Sequence, residues 1–298
     1  MRMLSTAVFS PAKINLFLAV TGRRADGFHD LVSLVAPIDF GDTLWVHAGE
    51  GGGPVTLACD DPAVPTGADN LAVRAAEAWR REVGSGRAIH LELKKRIPMG
   101  AGLGGGSSNA AAVLRGLNTL HGHPLEDGAL ARLAAGLGSD CPLFLAGAPC
   151  VMRGRGERLE PLPDAARGRL TGRRLIVFKP DFPISTPWAY GRLVAAGGSA
   201  YLPADVAEAT LAAWIAGDAP VGEVLMNSFE RVAFAKFQAL PVLLDRLRGQ
   251  PGVEGVLMSG SGSACITFLH PTADVGRLRA VIVAALGAEA LVVESAIR

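Results

Sequence analysis

The chain has 298 residues, 49% hydrophobic and 19% charged, a balance that supports a sizeable core and excludes a disordered polymer. Lysine plus arginine exceeds aspartate plus glutamate by one (29 − 28), so there is no global field to draw nucleic acid or an anionic membrane, and any pull on phosphate must be local. The length suits one large α/β domain or two of ordinary size.

In chain order, residues 6–20 alternate as a strand. Within Ala12-Lys13-Ile14-Asn15-Leu16-Phe17-Leu18 the period of two sets Lys13 and Asn15 on one face and Ile14, Leu16 and Leu18 on the other. A lysine there is either an edge-strand charge that blocks aggregation or a functional cation, and Asn15 favours the second. Arg23–His29 is a turn centred on Asp26-Gly27. Strands are predicted at 31–38 and 43–48, followed by a Gly/Pro-rich loop at 49–54. A helix is predicted over 70–83, with Leu71, Ala75, Ala78 and Trp79 on one stripe, and a strand over 89–94. Helices follow at 107–121 and 126–137, the second closed by Gly136 and Gly138. Ser139–Leu145 has the form of a cap with Pro142 in the first helical turn. The polar stretch Asp164–Arg174 marks a domain boundary. Beyond it come a strand at 175–179, helices from Pro187, at 206–216, 222–236 and 238–249, a strand–turn–strand from Val253 to Phe268, a helix at 274–286 and a strand at 290–296. Strands and helices mix in both halves, without an internal repeat, so the class is α/β (α+β).

The densest chemical signal is Pro98-Met99-Gly100-Ala101-Gly102-Leu103-Gly104-Gly105-Gly106-Ser107-Ser108, which runs straight into an alanine-rich helix. Glycine lets backbone N–H groups approach a ligand with no Cβ in the way, and the helix start adds unpaired donors and a positive dipole end, so the stretch reads as a phosphate site. A flexible linker would not lead into Ala-Ala-Ala-Val-Leu. Gly100, Gly102 and Gly105 satisfy the dinucleotide fingerprint, but the approach Leu93-Lys94-Lys95-Arg96-Ile97-Pro98 is not the apolar strand that fingerprint needs. No Gly-Lys-Ser/Thr closes a P-loop, and Asp39-Phe40-Gly41 precedes the Gly-rich loop, the reverse of protein-kinase order.

Cys59, Cys141, Cys150 and Cys265 are scattered without a C-x-x-C, which suits a reducing compartment and buried thiols. His121-Gly122-His123 precedes Pro124 and reads as a turn rather than a metal site, and no residue is assigned to a metal. Basic runs occur at Lys94–Arg96 and Arg167–Arg174, and the second, without interleaved aromatics, reads as a solvated connection rather than a nucleic-acid surface. No segment reaches the roughly 18 uninterrupted apolar residues of a membrane span and no signal core is present, so a cytoplasmic protein without nucleic-acid or membrane partners is expected.

Three motifs in this order, Pro11-Ala12-Lys13-Ile14-Asn15-Leu16, the loop 98–108 and Ser259-Gly260-Ser261-Gly262-Ser263-Ala264, resemble the GHMP kinase superfamily of small-molecule kinases. Thr21–His29 and Gly138–Phe144 are similar to the branch whose substrate is a cytidine diphosphate-linked methylerythritol, in non-mevalonate isoprenoid biosynthesis. The resemblance implies two domains, 1–165 like the second domain of ribosomal protein S5 and 166–298 ferredoxin-like, in a monomer or homodimer. It implies ATP and Mg²⁺ as cofactors, and phosphorylation of the 2-hydroxyl of the methylerythritol. It makes Asp140 the catalytic carboxylate and Lys13 its basic partner, with the 98–108 loop on the ATP phosphates. Asn15 contacts the diphosphate or hydroxyl region, His29 the base edge, and Phe28 and Tyr190 sandwich the base. On the residues alone, Asp140 also reads as a helix N-cap worth about 1 kcal/mol, a role that can hold together with the catalytic one, and Phe28 and Tyr190 equally fit core packing. Phe28 stands where the branch commonly has tyrosine, Ala101 where it has glycine and Ser228 where it has aspartate. Two rivals remain: another GHMP kinase of homoserine or mevalonate type, which would be expected to lack the Gly27-Phe28-His29 turn, and a non-catalytic ligand sensor, which would be expected to lack Lys13 and Asp140.

Overall fold

The computed structural model describes residues 3–298, apart from the side chain of Ser199. Packing divides the chain into two compact units that interleave along the sequence: the chain up to Ala12 with Phe40–Met99 and Gly104–Ala148, and Lys13–Asp39 with Gly100–Leu103 and Pro149–Arg298. The division expected at 165/166 follows chain order, whereas packing recruits residues 13–39 and 149–165 into the second unit. Two long strands, β1 (Leu4–Arg23) and β2 (His29–Gly52), contribute to both.

In the first unit the outer half of β2 pairs antiparallel with β4 (Arg87–Lys94), Thr43 opposite Lys94, and β4 pairs in parallel with β3 (Val55–Cys59). Helices α1 (Leu71–Glu82), α2 (Gly105–Leu120), α3 (Asp127–Leu137) and α4 (Cys141–Ala146) complete it. The helix start predicted at residue 70 is a side-chain cap: Asn70 Oδ1 accepts from the Ala72 N–H at 2.8 Å. Trp79, Leu44, Val46, Leu91, Val113 and Leu117 form the core, as the apolar stripes of strand and helix require. His121–His123 is a turn, with His123 in the left-handed region.

In the second unit the inner half of β2 pairs with β5 (Cys150–Gly154), which pairs with β6 (Arg158–Pro161), while β1 runs parallel to the short β8 (Met226–Asn227). A separate antiparallel sheet has the order β11 (Leu291–Ala296), β7 (Arg174–Lys179), β10 (Cys265–Leu269), β9 (Val253–Met258). It packs with α6 (Thr186–Ala196), α8 (Glu230–Lys236), α9 (Ala239–Arg248) and α10 (Val275–Leu286) around Phe178, Leu193, Phe229, Leu244 and Ile282; α7 (Ala204–Ala216) completes the unit.

Three expectations are corrected. The predicted boundary at 164–174 contains a helix, α5 (Asp164–Leu170), because Ala166 and Leu170, one turn apart, are both buried. The two strands expected at 31–38 and 43–48 are one strand, since Asp42 at the supposed break is fully buried and hydrogen-bonded rather than turning. The helix expected at 222–236 starts only at Glu230; Met226-Asn227 joins β1 instead.

Candidate active site

The Gly-rich loop is built around left-handed backbone. Gly100, Gly102 and Gly104 have φ of 63°, 77° and 72°, while Ala101 between them keeps an ordinary φ, the only non-glycine positive φ among the described residues being His123. That spacing is why alanine is tolerated at 101 and glycine is needed beside it. Gly102 faces a second demand: a Cβ there would lie 2.6 Å from the Ser259 carbonyl oxygen. The loop's middle is tied down by its own carbonyls, Leu103 accepting from the Lys13 N–H at 2.9 Å and Ala101 from the Ala264 N–H at 3.2 Å. All three motifs named from sequence thus meet in the backbone of the second unit.

From Gly104, the N-cap, α2 starts with Gly105, Gly106 and Ser107. Their N–H groups have no intrahelical partner and point along the positive end of the dipole, the ordinary geometry of an anion site. Pro98 is half-buried and Met99 exposed. Behind the helix start lies a buried polar network. Ser10 Oγ donates to Ser108 Oγ at 2.8 Å, and Asn109 Nδ2 donates to Ser10 Oγ and to Asp42 Oδ2 at 2.8 and 2.9 Å. Lys95 Nζ meets Asp42 Oδ2 at 2.5 Å, and the N–H groups of Arg96 and Ile97 donate to Asp42 Oδ1 at 2.7 and 2.8 Å. One carboxylate therefore pins both the strand exit before the loop and the helix after it.

Asp140 occupies the N-cap position of α4, yet its side chain makes no cap hydrogen bond. The cap hydrogen bond expected of it is missing: the half-buried carboxylate has no hydrogen bond or ion pair among the described residues. Its neighbour Cys141 is buried, which pushes the thiol up to about 11, while a hydrogen bond with the Ser107 side chain works the other way. Ser107 of the Gly-rich loop and the Asp140-Cys141 turn are thus neighbours within the first unit.

Lys13 and Asn15 share one face of β1 in the second unit, only 7% and 5% exposed, with Lys13 Nζ donating to Asn15 Oδ1 at 2.6 Å. Asn15 Nδ2 donates to Ser33 Oγ at 2.9 Å, and Ser33 Oγ to the Phe17 carbonyl at 2.6 Å. Lys13 is not a solvent-facing edge charge: its side chain is buried and its N–H is taken by the Leu103 carbonyl, while β8 pairs with β1 only at Phe17 and Leu18. Lys13 and Asp140 belong to different compact units.

The aromatic residues lie in the second unit. His29 is 8% exposed and its ring stacks on Tyr190 at a centroid distance of 4.6 Å and 28°. Tyr190 also meets Phe229 edge to face at 4.9 Å. Phe28 stands outside this stack, 55% exposed, with the Arg155 guanidinium 4.8 Å from its ring centroid. Burial first, and the Arg23 charge second, hold the His29 imidazole below its usual pKa.

Sequence reasoning missed Ser10, Ser33, Asp42, Lys95, Asn109, Arg155, Tyr201 and Asn227. Asn227 Nδ2 donates to the carbonyls of Met258 and Gly260 at 2.6 and 2.8 Å, and Glu230 accepts from the Met258 N–H at 2.8 Å, so the Asn227-Ser228-Phe229-Glu230 stretch holds the third motif's loop. A signal was present in part: an aspartate inside an apolar strand, as at Asp42, has to have partners.

The profile of the GHMP kinases N terminal domain matches residues 70–148. A 4-diphosphocytidyl-2-C-methyl-D-erythritol kinase of Synechococcus sp. (strain CC9902) is 42% identical over 272 residues, 88% of this chain and 86% of that protein. The kinase of the same name from Gloeobacter violaceus is 36% identical over 296 residues, 97% of this chain and 94% of its own length. A crystal structure of 4-(cytidine 5'-diphospho)-2C-methyl-D-erythritol kinase superposes with a TM-score of 0.75 at 36% identity, covering 98% of this chain and 99% of that one. A mevalonate kinase structure reaches a TM-score of 0.71 at only 10% identity, over 98% of this chain and 99% of its own, a likeness of fold alone.

Proposed function

The chain belongs to the 4-diphosphocytidyl-2-C-methyl-D-erythritol kinase family of the GHMP kinases, and from that premise we propose that it transfers the γ-phosphoryl group of ATP to the 2-hydroxyl of 4-diphosphocytidyl-2-C-methyl-D-erythritol, in isoprenoid biosynthesis. It is an ATP-dependent small-molecule kinase with the two-domain GHMP fold, an S5 domain 2-like part and a ferredoxin-like part.

Phosphoryl transfer passes through a loose, anionic transition state, so catalysis rests on positioning and charge neutralisation. The N–H groups at the start of α2 hold the ATP phosphates. The substrate hydroxyl attacks the γ-phosphorus, ADP departs, and the hydroxyl proton goes to Asp140. Lys13, oriented by Asn15, places a fixed cation on the developing charge. Asn15 keeps the Nζ of Lys13 in place and stands at the diphosphate or hydroxyl region, while His29, Phe28 and Tyr190 take the cytosine. The observation that supports this reading is the Asp140 carboxylate: half-buried, adjacent in the chain to Cys141, whose thiol is hydrogen-bonded with the Ser107 side chain, and not used by the helix it caps.

Magnesium accompanies the nucleotide in this reading. Among the described residues no group of three histidine, cysteine or carboxylate side chains is set to hold a metal. Asp140 and the Ser107 hydroxyl are the oxygen donors on offer, which suits an ion carried mainly by the phosphates. An ion carried there would supply charge neutralisation to the transferring phosphates. No helix of the described residues is long and apolar enough to cross a membrane; a cytoplasmic monomer or homodimer completes the proposal.

The test is incubation with ATP, Mg²⁺ and four acceptors, the cytidine diphosphate-linked methylerythritol, methylerythritol 4-phosphate, mevalonate and homoserine, read by phosphorus NMR. A new phosphomonoester signal with the first acceptor is expected. Equal turnover of methylerythritol 4-phosphate would refute the cytidine assignment, and turnover of homoserine or mevalonate alone would move the chain to another GHMP activity. No turnover with any acceptor, in protein that binds ATP, would leave the sensor reading.

A further inference from the structure

His29 has a second aromatic neighbour. Tyr201, which follows a short 3₁₀ turn at Gly198–Ala200, places its hydroxyl 3.3 Å from His29 Nε2, with ring centroids 5.9 Å apart. The chain has only two tyrosines, and both lie against this one imidazole. Tyr190 stacks on its face and fixes the ring plane. Tyr201 acts on one nitrogen and leaves Nδ1 without a hydrogen-bond partner among the described residues.

We infer that Tyr201 is a positioning residue that fixes the tautomer of His29 with the proton on Nδ1, so that the pocket reads the acceptor edge of cytosine and rejects uracil. The inference rests on the cytidine reading of the same site. A neutral imidazole has one donor nitrogen and one acceptor nitrogen, and the partner of the first decides the role of the second. The Tyr201 hydroxyl proton has no other acceptor among the described residues, and a phenol donates more readily than it accepts. The O–H therefore donates to Nε2, and the ring proton sits on Nδ1. Burial of His29 and the nearby Arg23 charge add to the ordinary preference of an imidazole for its neutral form at pH 7.5, the form in which a tautomer can be chosen.

The consequence for recognition follows from the bases. Cytosine offers adjacent acceptors at O2 and N3; uracil carries a proton on N3. An Nδ1–H aimed at N3 pairs with cytosine and meets a second donor in uracil. Leaving a buried polar group unpaired is how such a site discriminates. Phe28 and Tyr190 contribute stacking, which every base accepts alike. The choice of base then lies with His29 and, behind it, Tyr201.

The experiment has two arms. In the first, protein labelled with ¹⁵N-histidine is examined by long-range proton–nitrogen correlation NMR at pH 7.5, the His29 signals being assigned by their loss in His29→Asn. The Nδ1–H pattern is expected in the wild type, and a shift toward Nε2–H in Tyr201→Phe. In the second, kinetics are measured with the cytidine diphosphate-linked alcohol and its uridine analogue. Tyr201→Phe should leave kcat within about threefold and raise KM for the cytidine substrate about 3- to 10-fold, the value of one net hydrogen bond. The preference for cytidine over uridine should fall by a similar factor. A wild-type His29 carrying its proton on Nε2 would overturn the inference without needing any variant, and so would an unchanged base preference in folded Tyr201→Phe. Failure of the wild type to phosphorylate the cytidine substrate would instead sink the underlying activity, which the first arm does not depend on.

Discussion

Asp42 offers the sharpest test of how this chain holds its Gly-rich loop. Its carboxylate is 0% exposed and receives four donors: Lys95 Nζ, Asn109 Nδ2 and the N–H groups of Arg96 and Ile97. Replacing it by alanine strands the ammonium of Lys95, whose side chain is only 7% exposed, and leaves two backbone donors unsatisfied. Breaking a buried ion pair costs about 3–5 kcal/mol, and relaxation of the long lysine toward solvent holds the total near the lower end. Asp42→Asn keeps one carbonyl oxygen for the backbone donors and loses the charge, so about 1.5–3 kcal/mol is expected, the range for hydrogen bonds to a charged partner. Lys95→Met in the same chain removes the stranded cation, so Asp42→Asn/Lys95→Met should lose clearly less than the two single losses added together. Urea unfolding followed by circular dichroism gives the free energies, provided the slope m is unchanged between variants. ATP affinity should fall with stability in Asp42→Ala, because the same carboxylate spans the chain on both sides of the loop. A loss under about 0.5 kcal/mol in Asp42→Ala, or strict additivity in the double variant, would refute the reasoning.

Other outcomes follow from the same geometry. Asp140→Asn should fold normally, having no cap bond to lose, and should lower kcat about 10²–10⁴-fold; activity within about threefold of wild type would remove Asp140 from the chemistry. Lys13→Met should cost a similar factor by withdrawing the cation that Asn15 holds, and the double variant should be little worse than either single one, which fully multiplicative losses would contradict. Gly102→Ala meets both a φ of 77° and a contact of 2.6 Å with the Ser259 carbonyl, so ATP binding measured by calorimetry should weaken at least about tenfold, and unchanged affinity would place the nucleotide elsewhere. Burial raises Cys141 to about 11 and Cys150 to about 12 and also raises the fully buried Cys265. Burial raises the Cys59 thiol too, but Cys59 alone of the four is only half-buried, so native protein at pH 8 should be alkylated by iodoacetamide there alone, as read by peptide mass spectrometry; rapid labelling of Cys141 would contradict the packing around α4.

What the amino-acid order conveys here depends on whether a residue's partners lie near it in sequence. The loop 98–108 was legible because φ > 0 at alternate positions leaves a composition that few other structures need, and the helix after it shows in the alanine run. Lys13 beside Asn15 was legible because the strand period alone puts them together, and the 2.6 Å contact is that period seen in space. The function of Asp42 was not legible. Its four donors come from residues more than 50 positions away, and next to Gly41 an aspartate has the local look of a turn. The same holds for α5, where arginines and a glycine masked the two buried positions that make a helix. Tyr201 is the clearest case. Its partner His29 lies 172 residues earlier, and nothing in the local sequence Ser199-Ala200-Tyr201-Leu202 distinguishes a tyrosine that sets a tautomer from one that fills space. Motifs report the atoms that touch a ligand, because those atoms need special backbone or charge. The side chains that aim those atoms need only reach them, and reach is a property of the fold.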